Sequence, residues 1–246
     1  MNIDFFENKN DFCKNYDDFM HKLAQSVWEW TESQATFYTD GVFDVDTWFK
    51  SDVRPLFILK EVNQSVVEKE NIVNLVSTTE DPWIGKGMWG RIGVLAALMF
   101  QMYENPTVIP DYSLMKHSMS EISENGETKH QNICRKISII NLKKLAGGDN
   151  TKSEKSRNTL HFTCHAQKFS KELYKQIQLI KPTIIICCGK WDVANAMNLV
   201  DGKIYNIPAI DGYHPNRSSD ENFYLKTLQD IKSRKLFDVE LQGKNQ

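Results

Sequence analysis

The sequence predicts an α/β fold: a three-layer α/β/α sandwich around a mostly parallel, four-stranded central sheet. Three observations carry that expectation. Four short apolar, β-branched runs recur along the chain, and one of them, "TIIICCG", is uninterrupted in its apolarity, as a strand covered on both faces must be. Segments with helical apolar spacing lie between these runs, and strands alternating with helices build parallel sheets. No internal repeat and no Gly/Ser- or Pro-rich linker divides the 246 residues. One domain is therefore expected over 1–246, with a helical N-terminal segment, residues 1 to about 50, packed onto it.

Phe12, Tyr16, Phe19, Leu23 and Val27 recur at helical spacing and predict a helix from Asn10 to about Trp30. Pro55 then launches a buried strand that runs to Lys60. A polar stretch, 64–81, leads into the Trp-rich loop "DPWIGKGMWG". The apolar segment after it, "RIGVLAALMFQMY", reads as a helix too short to span a bilayer. Residues 104–130 are polar and irregular, with a short helix expected around Leu114 to Ile122. "KISIIN" is the second strand and ends at Asn141; a basic, glycine-containing loop, "LKKLAGGDNTKSEKSRN", follows. "SKELYKQIQLI" is an amphipathic helix closed by Lys181-Pro182. "TIIICCG" supplies the third strand, with Cys187 and Cys188 as core residues, and a helix from Trp191 to Leu199 comes next. "KIYNIPAI" is the fourth strand, and a last helix runs from about Glu221 to Ser233.

Composition excludes several classes. A net charge of −2 gives no global attraction to nucleic acid, so such binding must come from local patches. The five cysteines are odd in number, scattered and without C-x-x-C spacing, which argues against a disulfide framework, a zinc ribbon or an iron–sulfur site. In "HFTCH", His161 and His165 could share a helix face, but no third ligand is evident nearby and no metal is expected. The first ten residues lack a basic region followed by an apolar one, so no signal peptide is expected and a cytoplasmic location is the default.

Ligands of open α/β sheets bind beyond the carboxyl ends of the strands. The sequence places Glu61, Asn141, Gly189 and the turn "GYHPNRSS" at those four ends. Each is ordinary alone: a cap, a solvated side chain, a structural histidine. Together a carboxylate, an amide and an imidazole on one edge favour a site.

A strand ending in "LKEVNQ", then "IINLKK", "TIIICCG" and "GYHPNRSS" ahead of a C-terminal helix resembles the uracil-DNA glycosylase superfamily. The likeness runs from Pro55 to Ile231 in the order of elements, and the residue matches are Glu61, Asn141 with Lys144, and His214-Pro215. Lys60, Asn63 and Gln64 stand where the family's first motif has glycine, proline and a closing residue, and Asn216 replaces the serine of the His-Pro-Ser turn.

The resemblance implies a monofunctional DNA glycosylase that hydrolyses the N-glycosidic bond of a flipped base. DNA would be its partner, with no cofactor, no membrane and no obligate protein partner. Cleavage passes through an oxocarbenium-like sugar, which Glu61 would stabilise while orienting water. His214 would donate a hydrogen bond to the departing base, and Asn141 would read the edge of the flipped base. Arg217, with Asn216 beside it, is the expected wedge, and Trp83 or Trp89 the stacking aromatic. Lys143 and Lys144, with Lys152, Lys155 and Arg157, would contact phosphates or simply form a solvated face.

Lys60 and Asn63 would change the pocket toward a modified base rather than plain uracil, such as a modified pyrimidine in foreign or phage DNA. The bland reading of Lys60 is that it points to the sheet's outer face. Repair and phage defence are the two biological uses this suggests. The alternative is a non-catalytic nucleic-acid-binding module on the same fold. A nucleotide enzyme is less favoured, because no Gly-rich phosphate loop is present.

Overall fold

A computed structural model describes residues 9–32, 36–61, 87–122, 126–145, 159–200 and 207–237. Helix α1 (Lys9–Thr31) has the expected stripe, with Phe12, Tyr16, Phe19, Leu23 and Val27 all buried. It is followed by β1 (Gly41–Val42), α2 (Val45–Lys50), β2 (Pro55–Glu61), α3 (Gly87–Glu104), α4 (Tyr112–Ser118) and α5 (Lys129–Cys134). Then come β3 (Ser138–Lys143), α6 (Thr159–Lys168), α7 (Ser170–Ile180), β4 (Ile184–Cys188), α8 (Trp191–Ala196) and β5 (Ala209–Gly212). The last described element is a π-helical turn, Glu221–Lys226, that continues without a break into α9 (Thr227–Ser233).

The architecture is α/β, with a five-stranded mixed sheet in the order β1-β3-β2-β4-β5. This corrects the four-stranded expectation. The four predicted strands are parallel to one another, and β1 is added antiparallel outside β3. Two residues are too few to show an alternating pattern, so β1 leaves no periodic signal in the sequence.

The fourth strand is also displaced. Of "KIYNIPAI", residues 203–206 lie outside the described residues, and β5 begins only at Ala209, running on into Gly212. Its register against β4 pairs Ile186 with Ile210 and Cys188 with Gly212, which brings the histidine turn directly off the strand end. Helix α8 stops at Ala196, earlier than expected, and Asn198 just beyond it takes a left-handed φ of 57°. Three further helices lack long stripes. α2 starts on Asp44, which accepts from the Thr47 amide at 2.8 Å, and α5 starts on a capping box made by Thr128 and Gln131. α6 places "HFTCH" within ten helical residues.

Strand alternation fills both faces of the sheet. Leu56, Ile58, Ile140, Leu142, Ile185 and Cys187 pack with residues of α1, α6 and α7, among them Phe19, Phe162 and Ile177. Phe57, Leu59, Ile139, Ile186 and Cys188 pack with Leu95 and Met99 of α3 and with Phe223 and Leu228 at the C-terminal end. The connection from β2 to β3 thus covers one face, and the return from β3 to β4 covers the other. Strand order reverses between β2 and β4. That is where an open α/β sheet splays its connections apart and leaves a crevice. Among the described residues no helix is long and apolar enough to cross a membrane.

A buried polar cluster secures the β1 edge. Asp40, 2% exposed, accepts from the Asn141 backbone amide at 2.6 Å, from Lys144 Nζ at 2.7 and 2.9 Å, and from Gln176 Nε2 at 2.8 Å. The Tyr16 hydroxyl donates to the Asp40 carbonyl at 2.7 Å. One residue therefore ties three elements to the edge strand, β3 and α7 through its carboxylate and α1 through its carbonyl. Burial pulls the Lys144 ammonium below the usual lysine range, and Asp40 opposes that fall.

Candidate functional site

At the carboxyl edge of the sheet β2 ends in Lys60 and Glu61, β3 ends in Lys143, β4 runs into Gly189 and Lys190, and β5 runs into His214. Register pairs Glu61 with Lys143. The Glu61 side chain is 3% exposed; Lys143 Nζ lies 3.0 Å from its Oε2, and the Lys60 ammonium pairs with its Oε1. Alternation sends Lys60 toward the face covered by α6, where its ammonium sits 5.4 Å from the Phe162 ring centroid. Lys190 approaches the same ring at 5.5 Å. Burial, and after it repulsion from Lys60 and Arg217, lowers the Lys190 pKa from the usual lysine value, against smaller opposing pulls from Glu61 and Asp192.

His214 is half-buried and its Nδ1 accepts the Asn216 backbone amide at 3.1 Å. A neutral ring whose Nδ1 accepts must carry its proton on Nε2, so the free nitrogen is a donor. The ring is held neutral: burial first, then Arg217, Lys190 and Arg91, lowers its pKa to about 4. An NMR titration should therefore find His214 titrating near 4 instead of at the ordinary value of about 6.5; a midpoint at the ordinary value would refute this electrostatic picture. The linked effect on stability has a definite sign. Between those two values the unfolded chain binds the proton that the folded chain refuses, so His214 makes folding less stable as pH falls from about 6.5 to about 4.

The turn is braced from outside. Arg91 on α3 donates through Nη1 to the Pro215 carbonyl and, at 2.9 Å, to the Ser218 carbonyl; it also pairs with Asp220 at 3.0 Å. Its guanidinium lies 4.9 and 5.5 Å from the rings of Phe223 and Tyr224. Ser218 Oγ donates to the His214 carbonyl at 2.7 Å. Gly189 lets the turn close onto β4: at φ +73° it donates to the Gly212 carbonyl at 2.8 Å, and an added Cβ would stand 2.9 Å from His214 Cβ. Gly189→Ala is expected to cost about 1–3 kcal/mol in denaturant unfolding and to shift the His214 resonances, since both the left-handed backbone and the contact forbid it.

The structure brings Lys60, Glu61, Lys143 and His214 to one edge, with Arg217 and Asn216 exposed on the turn. Asn141 stands on the same face as Lys143 but is 2% exposed, and its Nδ2 donates to Asp40 at 3.1 Å. Lys144, expected either to contact phosphate or to lie on a solvated face, is 1% exposed and paired with Asp40. Burial rules out both places. Trp89 is half-buried in α3 and packs against the apolar core. Asn63, Gln64, Trp83, Lys152, Lys155 and Arg157 lie outside the described residues. His165 packs between Trp30 and Phe169, and among the described residues no group of three His, Cys, Asp or Glu could hold a metal ion.

Sequence reading missed Lys190, Arg91 and Phe162. Lys190 carried a usable signal, since it follows Gly189 at a strand end. Arg91 carried none, because its partners lie more than 120 positions away in the chain. Comparison of the chain with protein-family models, curated proteins and solved structures finds no match.

Proposed function

We propose that the protein is a DNA glycosylase of the uracil-DNA glycosylase superfamily, hydrolysing the N-glycosidic bond of a flipped, modified base to leave an abasic site. One observation carries the reading. A neutral imidazole with its Nε2–H available for donation and a carboxylate follow strands β5 and β2 at the same edge of the sheet. Glu61 and His214 extend from β2 and β5, two strand spacings apart, which is about 10 Å and wide enough for a nucleoside.

In this reading the base leaves with negative charge that a preorganised donor meets. A neutral donor suits a departing anion, because it need not give up its proton to stabilise the charge. The Glu61 carboxylate supplies negative charge on the sugar side as positive charge develops there. Lys60 and Lys143 fix the position of that carboxylate. The exposed Arg217 and Asn216 are suited to fill the gap left by an extruded nucleotide. The cations at this edge favour a polar modified base over plain uracil, and Asn141, buried and bound to Asp40, is left out of base reading. Foreign DNA with modified pyrimidines is the proposed target, and the reaction needs no cofactor.

The test is to incubate the protein with genomic DNAs that carry different modified bases and to identify released bases by mass spectrometry. Release of one base, lost in Glu61→Gln, is the expected result. A second reading, a non-catalytic nucleic-acid-binding module, is favoured by one observation: both Glu61 oxygens face lysines. Salt-sensitive DNA binding without base release from any DNA would select it.

A further inference from the structure

We propose that Lys190 is an amine nucleophile, giving this site a lyase activity on the abasic sugar in addition to base release. The proposal rests on the glycosylase reading for the position of the sugar.

The placement is topological. In the sheet, β4 lies between β2 and β5, so the residue that continues β4 past Gly189 stands between Glu61 and His214. A glycosidic bond spanning the carboxylate on its sugar side and the imidazole on its base side has C1′ between the two. Lys190 is the side chain that β4 contributes at that point. Its electrostatic neighbours are the same groups: Glu61, Lys60 and Arg217 act on it, and it acts in turn on His214.

Lys190 differs from the other lysines of the site in its partners. Lys60 and Lys143 are bound to Glu61, and Lys144 is bound to Asp40. Lys190 makes no ion pair among the described residues; its ammonium is half-buried against Phe162. A lysine becomes a nucleophile when desolvation and a neighbouring cation favour the neutral amine. Phe162 supplies the apolar wall, and Lys60 and Arg217 supply the cations.

The chemistry balances without a cofactor. Once the base has left, the abasic sugar opens to an aldehyde at C1′. The Lys190 Nζ lone pair attacks that carbon, the two amine hydrogens leave with the carbonyl oxygen as water, and a solvent proton makes the imine cationic. Water takes the C2′ proton, the electron pair forms a C2′–C3′ double bond, and the C3′–O bond breaks, releasing the downstream strand with its 5′-phosphate. Hydrolysis of the imine returns the free amine.

The experiment incubates the full chain with an oligonucleotide carrying one preformed abasic site, adds borohydride, and maps any covalent adduct by peptide mass spectrometry. A reduced adduct on Lys190, lost in Lys190→Met, is the expected result. Adduct on another lysine, or no adduct, overturns the proposal. Mapping on the unsubstituted chain gives the answer even if Lys190→Met fails to fold. The preformed site needs no base excision, so the two readings fail separately. Base release without an adduct rejects only the lyase. An adduct on Lys190 without base release from any DNA keeps the lyase and rejects the glycosylase.

Discussion

His214→Ala should slow base release by about 10²–10³-fold while leaving the fold in place. The size follows from the role. A single preorganised donor aimed at developing negative charge supplies about 3–4 kcal/mol of transition-state stabilisation, and the substitution removes that donor along with the Nδ1 acceptor of the exposed Asn216 amide. His214 lies on a half-buried turn whose backbone is held independently, by Arg91 on two carbonyls and by the Gly189 amide on Gly212. Circular dichroism and the unfolding midpoint should therefore change little. The loss should fall on kcat, because the bond strengthens only as the base departs. An unchanged kcat would remove His214 from the mechanism, whatever its effect on substrate binding.

Asp40→Ala should produce the largest loss of stability, about 3–5 kcal/mol, read as a lowered denaturant midpoint. The Lys144 ammonium is almost fully buried, with both Asp40 oxygens within 2.9 Å, and the substitution leaves it uncompensated. It also strands the Asn141 backbone amide and takes one acceptor from the Gln176 amide, which keeps the Tyr16 hydroxyl. Asp40→Leu combined with Lys144→Met should recover much of the loss, because a buried ion pair contributes far less than the penalty for breaking it. If the double variant is no better than Asp40→Ala, the damage lies in the orphaned amides and not in the charge.

The contrast between Asp40 and His214 shows what the sequence could reveal. The strands were legible because their apolar, β-branched runs are determined by burial on two faces, a local requirement written in consecutive residues. β2, β3 and β4 were readable in this way, and α1 and α7 from their apolar stripes. The edge that carries the candidate site was legible by position: residues that follow such runs stand at the strand ends, which led to Glu61, Gly189 and His214. Asp40 was not legible. It lies beside a two-residue strand, and its partners Asn141, Lys144 and Gln176 are more than 100 positions away. An aspartate that organises four elements looks, in sequence, like any loop aspartate. Lys144 shows the same limit from the other side. Strand alternation separates it from Lys143 by a whole sheet face, while adjacency in sequence makes the two look like one basic patch.

The π-helical turn between the histidine loop and α9 sets a mechanical constraint on this half of the site. Each residue of an α-helix advances the chain by about 100° around its axis, so a π-turn is a helix carrying one residue more than the regular winding holds. That surplus sets the phase between the loop and the helix that anchors it. Shortening the segment by one residue would let the winding become regular, yet would rotate everything upstream by roughly a quarter-turn relative to α9. Phe223 and Tyr224 would then leave the Arg91 guanidinium, and the imidazole would swing away from β4. Single substitutions in 221–226 should be tolerated far better than any change in its length, so the spacing between His214 and α9, more than the identity of the residues in it, keeps the imidazole at the carboxyl edge of the sheet.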